Sequence, residues 1–190
     1  DLNDYVMLMN DPTNAYHKVY EIEWDRNVWS APNWTFVNLP TDELKPLAKA
    51  SILGGDGMYF SCDVGKQLDR DNGTLSLENY NYEALYGVEF NMTRKERVQT
   101  FQSGSSHGMN LVGVDTTAAG EPIKWLLENS WGKEAGADGF LVMTDEWFNE
   151  YMFRLVVHKK YIPEKILNIY AEKPTLLAPW DPMFVPMADH

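Results

Sequence analysis

Three short apolar runs follow one another within residues 106–145, each bounded by polar or glycine-rich sequence. In the first run the side chains alternate, so that His107, Met109 and Leu111 fall on one face. The connection over residues 116–122 is small and polar and contains a glycine and a proline, which is typical of a hairpin longer than a two-residue turn. The stretch therefore predicts neighbouring β-strands, with His107 at the entrance of the first.

The second apolar run ends on an amide. Trp125, Leu127 and Asn129 fall on one face of the predicted strand, and only Asn129 is polar. A polar side chain in such a place is expected where it must form a hydrogen bond at the edge of a cleft. Trp131 follows two residues later. His107 and Asn129 are therefore the pair that indicates chemistry.

The stretch SGSSHG, residues 103–108, runs directly into His107. Its small residues permit either a close approach of the backbone to a groove or a flexible loop, and the sequence leaves both open.

The rest of the chain predicts helices interleaved with strands. Residues 41–53 are typical of an amphipathic helix, which Thr41 or Asp42 can cap. Thr93 and Glu96 have the spacing of a capping box at the start of another helix. Further helices are predicted over residues 78–86, 145–153 and 163–171, and a buried strand over residues 57–64.

The block ENSWGKEAGADGFLVMTDEWFNEY, residues 128–151, follows the His-Gly-Met of residues 107–109 and resembles the His and Asn half of a papain-like cysteine peptidase. More narrowly, it is similar to the bleomycin hydrolase and aminopeptidase C family. The similarity also extends to MLMNDP, CDVGK and LLAPWDPM and to two further segments, at residues 7–12, 62–66, 176–183, 82–88 and 92–99. It thus covers nearly the whole chain.

The resemblance implies an α+β fold, the C-terminal part of a papain-like peptidase with an antiparallel, β-rich lobe that carries His and Asn, plus flanking helices. Residues 1–190 are then expected to form a single C-terminal segment of the peptidase domain. Within it, residues 1–175 would form the lobe and residues 176–190 an extended C-terminal arm. An N-terminal, Cys-bearing half of the same protein is the expected partner.

The resemblance also implies roles for individual residues. In such a site a thiolate attacks a peptide carbonyl, and His107 would act as the acid and base. Asn129 would orient the imidazole, and Trp131 would shield their hydrogen bond from water. The expected activity is the removal of N-terminal residues from peptide substrates.

The chain has one cysteine, Cys62, in the segment MYFSCDVGKQ. It lacks the Cys-Gly-x-Cys-aromatic context of papain-like enzymes, in which the nucleophile precedes the His and Asn by about 130–150 residues. Cys62 precedes His107 far more closely. We expect a buried structural thiol, so that the chain carries the base but no nucleophile and is inactive alone.

In the family that the chain resembles, the C-terminal arm lies in the cleft and its free carboxylate pairs with the substrate's α-ammonium, which excludes longer chains. The terminal carboxylate of His190, or one created by trimming, is the candidate for this clamp. The family also forms hexameric rings, so a homo-oligomer is expected.

Composition excludes several classes of partner. The formal net charge is −12, which argues against nucleic acid and anionic membrane surfaces, since phosphate contacts need clustered Lys and Arg. The four histidines lack metal-ligand spacing, and no cofactor is expected. No apolar run is long enough to cross a membrane. A single cysteine fits a reducing, cytoplasmic compartment, although a leader could precede the chain.

Two other functions are alternatives to the peptidase. The chain could be a non-catalytic papain-like remnant that serves as a binding or assembly module. The retained His107 and Asn129 favour the peptidase, since a remnant has no physical reason to keep an imidazole and an orienting amide in matched strands. A carbohydrate-binding β domain built on the tryptophans is disfavoured, because the mixed elements do not resemble a sandwich with regular strand spacing.

Overall fold

One sheet carries most of the regular structure in residues 1–184, the part of the chain that the computed structural model describes. Its strands, in chain order, are β1 (Tyr5–Met9), β2 (Lys18–Ile22), β3 (Thr35–Asn38), β4 (Met58–Cys62), β5 (Leu68–Asp69), β6 (Thr74–Leu75), β7 (His107–Thr116), β8 (Pro122–Glu128), β9 (Phe140–Thr144), β10 (Met152–His158) and β11 (Thr175–Leu177). They form an 11-stranded sheet in the order β11-β2-β3-β1-β10-β4-β7-β8-β9-β6-β5.

Most neighbouring strands are antiparallel, as predicted for the lobe. The exceptions are the parallel pairs β1 with β3, β2 with β11 and β6 with β9. The strands β7, β8 and β9 are adjacent, which confirms the prediction from residues 106–145. Because β4 pairs with β7 on the other side, the predicted site lies in the middle of the sheet and not at an edge.

Five helices accompany this sheet in residues 1–184. They are α1 (Thr41–Leu53), α2 (Tyr82–Tyr86), α3 (Arg94–Gln99), α4 (Asp145–Tyr151) and α5 (Glu164–Tyr170), with short 3₁₀ turns at Leu2–Asp4 and Lys159–Tyr161. Three of the five helices, α1, α4 and α5, pack on one face of this sheet, whereas Val98 of α3 is buried in the core on the other face and α2 has no buried residue. The apolar faces of α1, α4 and α5 supply Leu44, Trp147 and Ile166 to the main core, which includes Leu8 of β1 and Val37 of β3. The mixture of strands and flanking helices confirms the predicted α+β class.

The opposite face of the sheet carries a second, smaller core. Met9 and Phe36 belong to it, whereas their strand neighbours Leu8 and Val37 belong to the first, as the alternation of a strand requires. Met183, near the end of the described residues, is buried in this second core. The C-terminal segment therefore packs back onto the sheet.

The predicted N-caps and bounds of α1, α2 and α3 agree only in part with those in the structure. The bounds of α1 are those predicted, but the predicted cap is wrong, because Pro40 is the N-cap and forms no side-chain cap bond. The capping box at α3 is confirmed: Glu96 N donates to Thr93 Oγ1 (3.3 Å), and Thr93 N donates to Glu96 Oε2 (2.7 Å). Residues 80–93 are all exposed, so α2 lacks a buried face and is shorter than the predicted helix.

The glycine-rich link between β8 and β9 makes a turn that needs glycine. Gly136 has φ +66°, and a Cβ built on it would lie 2.3 Å from the carbonyl oxygen of Phe140. Any side chain here would collide with the backbone. The turn returns the chain to the sheet, where Asn129 N donates to Gly139 O (2.9 Å).

Trp147 should dominate the packing of α4. Its side chain is 0% exposed, and its Nε1 donates to Lys66 O (2.8 Å). We expect Trp147→Ala to lower the free energy of unfolding by about 3–5 kcal/mol, measured by urea denaturation. The control is Trp29→Ala, which removes an indole that is 80% exposed and should change stability by no more than about 0.5 kcal/mol. Equal losses in the two variants would contradict this assignment of the core.

Candidate active site

His107 is the first residue of β7 and is half-buried. Its partner across the ladder is Cys62, the last residue of β4. Asn129 is the first residue after β8, on the other side of β7. The two candidate side chains therefore come from adjacent strands and meet at one end of the pair.

The imidazole and the amide are hydrogen-bonded, with His107 Nε2 and Asn129 Oδ1 2.8 Å apart. The same oxygen accepts the backbone N–H of Ser130 (2.8 Å), which identifies this end of the amide as the oxygen. Because a carbonyl oxygen cannot donate, the proton of this bond belongs to His107 Nε2. A neutral imidazole in this tautomer presents Nδ1 as a proton acceptor.

The amide of Asn129 is held from its oxygen end. Its Nδ2 is buried and has no hydrogen-bond partner within residues 1–184. Two donors, one from His107 and one from Ser130, therefore fix the orientation of the side chain.

Trp131 stacks against the imidazole of His107. The ring centroids are 4.9 Å apart and the planes are inclined by 29°. Trp131 also packs against the main core, and the guanidinium carbon of Arg70 lies 5.0 Å from its ring centroid. The predicted Trp131 is thus placed beside the pair, where an indole limits the access of water to the imidazole.

Cys62 lies opposite His107 in the ladder but in a different environment. Its side chain belongs to the main core and is 0% exposed. Burial, with a contribution from the charge of Asp63, raises the pKa of the Cys62 thiol well above its usual range. The expected buried thiol is confirmed, and this environment is the reverse of what a nucleophilic thiolate needs.

No role was assigned to Asp63 from the sequence, although the segment CDVGK contains it; in the structure this residue holds the chain in front of His107 through Ser103. The Asp63 carboxylate is 2% exposed, and Ser103 Oγ donates to its Oδ2 (2.8 Å). Burial raises the pKa of Asp63, against the opposing effects of the Ser103 hydroxyl and the Lys66 ammonium. Of the two possibilities for residues 103–108, a flexible loop does not fit a segment tied to a buried carboxylate.

An open cavity of about 490 Å³ borders Asn129. Tyr59, Gly108, Asn110 and Glu128 contribute to its walls, together with Asn129. A Cβ added to Gly108 would lie 2.8 Å from the Tyr59 ring, so the absence of a side chain at residue 108 makes room for this ring.

The candidate clamp at His190 lies outside the described residues. The predicted boundary between residues 175 and 176 falls within β11, so the first part of the arm belongs to the sheet. Farther along, Asn14 Nδ2 donates to both Asp11 (2.8 Å) and Asp181 (3.2 Å), and burial raises the pKa of Asp181. These contacts tie the arm to the loop after β1.

Residues 1–184 contain no group of three or more His, Cys, Asp or Glu side chains that could hold a metal ion. Within the same range, no helix is long and apolar enough to cross a membrane.

The chain matches a family model described as "Peptidase C1-like family" over residues 1–184. It is 40% identical over 185 residues to aminopeptidase C of Lactococcus lactis subsp. lactis (strain IL1403), covering 96% of this chain and 42% of that protein. It is 37% identical over 188 residues to human bleomycin hydrolase, covering 96% of this chain and 41% of that protein.

A crystal structure of PepW from Lactobacillus rhamnosis superimposes on the chain with a TM-score of 0.92 and 37% identity, covering 96% of this chain and 42% of that one. This neighbour confirms the predicted fold. The chain spans about two fifths of the length of the relatives it matches.

The burial of Cys62 predicts slow alkylation. In the native 190-residue chain, iodoacetamide should leave Cys62 largely unmodified at pH 7–9, because the thiol is inaccessible and its raised pKa keeps it protonated over this range. Mass spectrometry measures the modified fraction. The same chain in guanidinium chloride should react fully, and reaction of the native chain at the rate of a free thiol would show that Cys62 is available as a nucleophile.

Proposed function

Since the chain belongs to the peptidase C1-like family, we propose that it is the part of a cysteine aminopeptidase that supplies the catalytic base and its orienting amide. The observation that carries this proposal is the hydrogen bond between His107 Nε2 and Asn129 Oδ1 (2.8 Å). It leaves Nδ1 of a neutral His107 as the atom that accepts the thiol proton. The relatives named aminopeptidase C and bleomycin hydrolase support the same reaction class.

The thiol comes from a polypeptide segment other than this chain. The sequence contains one cysteine, and Cys62 is buried with a raised pKa. We assign the nucleophile to an N-terminal, Cys-bearing half of the same protein, as the length of the relatives supports. That half would bring its thiol to Nδ1 of His107.

Acylation forms one bond and breaks another. His107 Nδ1 holds the proton of the thiol, and the thiolate sulfur attacks the carbonyl carbon of the N-terminal residue of a peptide. The imidazolium then gives this proton to the nitrogen of the leaving peptide, the C–N bond breaks, and a thioester remains. Asn129 keeps the ring in place during both transfers, because the Nε2–H bond persists in the neutral and the protonated imidazole.

Deacylation repeats the same steps with water. His107 Nδ1 accepts a proton from the water whose oxygen attacks the thioester carbonyl, and the C–S bond then breaks. The amino acid leaves as a carboxylate, and the thiol is restored. Trp131 excludes water from the side of the imidazole that it covers, which strengthens the bond to Asn129.

We assign to the C-terminal arm the role of restricting cleavage to the N-terminal residue of a substrate. A terminal carboxylate, at His190 or created by trimming, would pair with the α-ammonium of the substrate. The Asp181 contacts that hold the arm to the body support a fixed course for this segment. A homo-oligomeric, hexameric assembly in the cytoplasm completes the proposal.

A papain-like remnant that only binds or assembles is the second candidate. The observation that favours it is the burial of the one thiol in the chain. The two candidates differ in what the full-length protein does: a peptidase turns over aminoacyl amides, whereas a remnant does not.

Substitutions in the full-length protein test the assigned roles. We expect His107→Ala to lower kcat/KM for an aminoacyl amide by about 10²–10⁴-fold, since the base is lost. Asn129→Ala should cause a smaller loss, because the base remains but its orientation is relaxed. The matched control is His158→Ala, which removes an imidazole at the far end of β10 that makes an edge-to-face contact with Tyr5, with the ring centroids 5.0 Å apart. Full activity of His107→Ala would overturn the mechanism.

The isolated 190-residue chain provides a complementary assay. It should not hydrolyse aminoacyl amides, because Cys62 cannot act as a nucleophile. Thiol-dependent turnover by purified material that contains only this chain, and its loss in Cys62→Ser, would place the nucleophile at Cys62 instead.

A further inference from the structure

Residues 103–106 lead directly into His107 and lie against the end of β4. Four hydrogen bonds join the two segments through Ser105 and Ser106, and the longest of them runs from Ser106 Oγ to Cys62 O (3.4 Å). Ser105 Oγ donates to Ser61 Oγ (2.9 Å), Ser106 N donates to Cys62 O (3.0 Å), and Val64 N donates to Ser106 Oγ (3.2 Å). The residues that immediately precede β7 are therefore held against the end of β4, next to the ladder pair of His107 and Cys62.

A fifth hydrogen bond, from Ser103, differs from these four because its acceptor is a carboxylate. Ser103 Oγ donates to Asp63 Oδ2 (2.8 Å), and the two residues are 1% and 2% exposed. Hydrogen bonds to an ionised acceptor are about twice as strong as neutral ones. If either side chain is removed, the other remains buried without a hydrogen-bond partner. This lowers the stability of the fold more than the loss of a solvent-exposed hydrogen bond does.

Asp63 is itself held in place from the other side. Its backbone N–H donates to Tyr151 O (3.0 Å) at the end of α4, and Lys66 N donates to Asp63 O (3.2 Å). The carboxylate thus connects the loop before His107 to a rigid part of the main core. Neither His107 nor Asn129 forms a hydrogen bond with Asp63, and the hydrogen bond from Ser103 is the contact through which this carboxylate can hold residues 103–106.

We propose that Asp63 is a positioning residue for His107, which holds residues 103–106 so that the imidazole meets both Asn129 and the attacking thiol. This inference rests on the proposed function for its catalytic consequence. The bond from Nε2 to Asn129 is 2.8 Å long, and a displacement of about 1 Å would take it out of hydrogen-bond range. A misplacement of that size can reduce turnover by about 100-fold.

The kinetic test uses the full-length protein. Asp63→Ala should lower kcat for an aminoacyl amide by about 100-fold with little change in KM, because substrate contacts remain while the base is misplaced. Asp63→Asn keeps an oxygen that can accept the Ser103 hydroxyl, and should restore much of the activity. Asp115→Ala is the matched control, since Asp115 is an exposed carboxylate on β7. Wild-type kcat in a folded Asp63→Ala variant overturns the proposal.

A second variant tests the route of the effect. Ser103→Ala removes the other half of the bond, and should lower kcat in the same direction. If the two residues act through one contact, the double variant should lose no more activity than Asp63→Ala alone. Losses that multiply would show that Asp63 does not act through Ser103. This variant also serves where Asp63→Ala does not fold.

Thiol alkylation separates positioning from a general loss of stability. A correctly placed imidazolium keeps the catalytic thiol ionised well below its ordinary pKa. The wild-type protein should therefore react with iodoacetamide at low pH, and Asp63→Ala should lose this low-pH reactivity while Asp115→Ala keeps it. An unchanged profile in Asp63→Ala contradicts the proposal.

The 190-residue chain tests the positioning independently of catalysis. Its NMR spectrum should contain a slowly exchanging proton on His107 Nε2, which disappears in Asp63→Ala and persists in Asp115→Ala. If the full-length wild type has no peptidase activity, the proposed function fails, and this signal still decides whether Asp63 positions His107. Persistence of the signal in Asp63→Ala refutes the positioning role.

Discussion

The hydrogen bond between His107 and Asn129 requires that two strands be in register at one end. β7 must begin at His107 and β8 must end just before Asn129, or the 2.8 Å contact is lost. A shift by one residue would also turn His107 to the opposite face of the sheet. The ladder between β4 and β7, the turn at Gly136 and the loop at residues 103–106 can all be understood as supports of this single alignment.

Local patterns in the sequence contain much of this arrangement. Alternation predicted the strand that begins at His107 and the strand that leads to Asn129, which lies one residue beyond β8, and the amphipathic spacing of residues 41–53 predicted α1 with its observed bounds. The capping box of Thr93 and Glu96 could equally be predicted from the sequence, because both of its hydrogen bonds lie within four residues. These features depend on short-range geometry, which the order of residues encodes directly. The burial of Cys62 was also predictable, from its apolar strand and from the absence of the sequence context of a nucleophile.

Features that depend on distant partners were not predictable from such patterns. Asp63 and Ser103 are 40 residues apart, and neither sits in a motif that signals their contact. The aromatic residues of 78–86 suggested a longer helix, but no other element of residues 1–184 covers them, and only Tyr82–Tyr86 is helical. The parallel pairing of β11 with β2 likewise joins the two ends of the described chain. In each case the conformation of the segment depends on which distant residues pack against it.

Peroxide converts a thiol to a sulfenic acid only when the sulfur is ionised and within reach of the oxidant. Cys62 meets neither condition, although its strand position is directly opposite the imidazole. In the proposed enzyme, the oxidation-resistant sulfur of Cys62 would thus lie in the strand next to His107, the base that activates the sulfur of the catalytic cysteine. A loss of activity on treatment with peroxide would then not arise from oxidation of Cys62, and a reductant that restores activity would act on a sulfur other than that of Cys62.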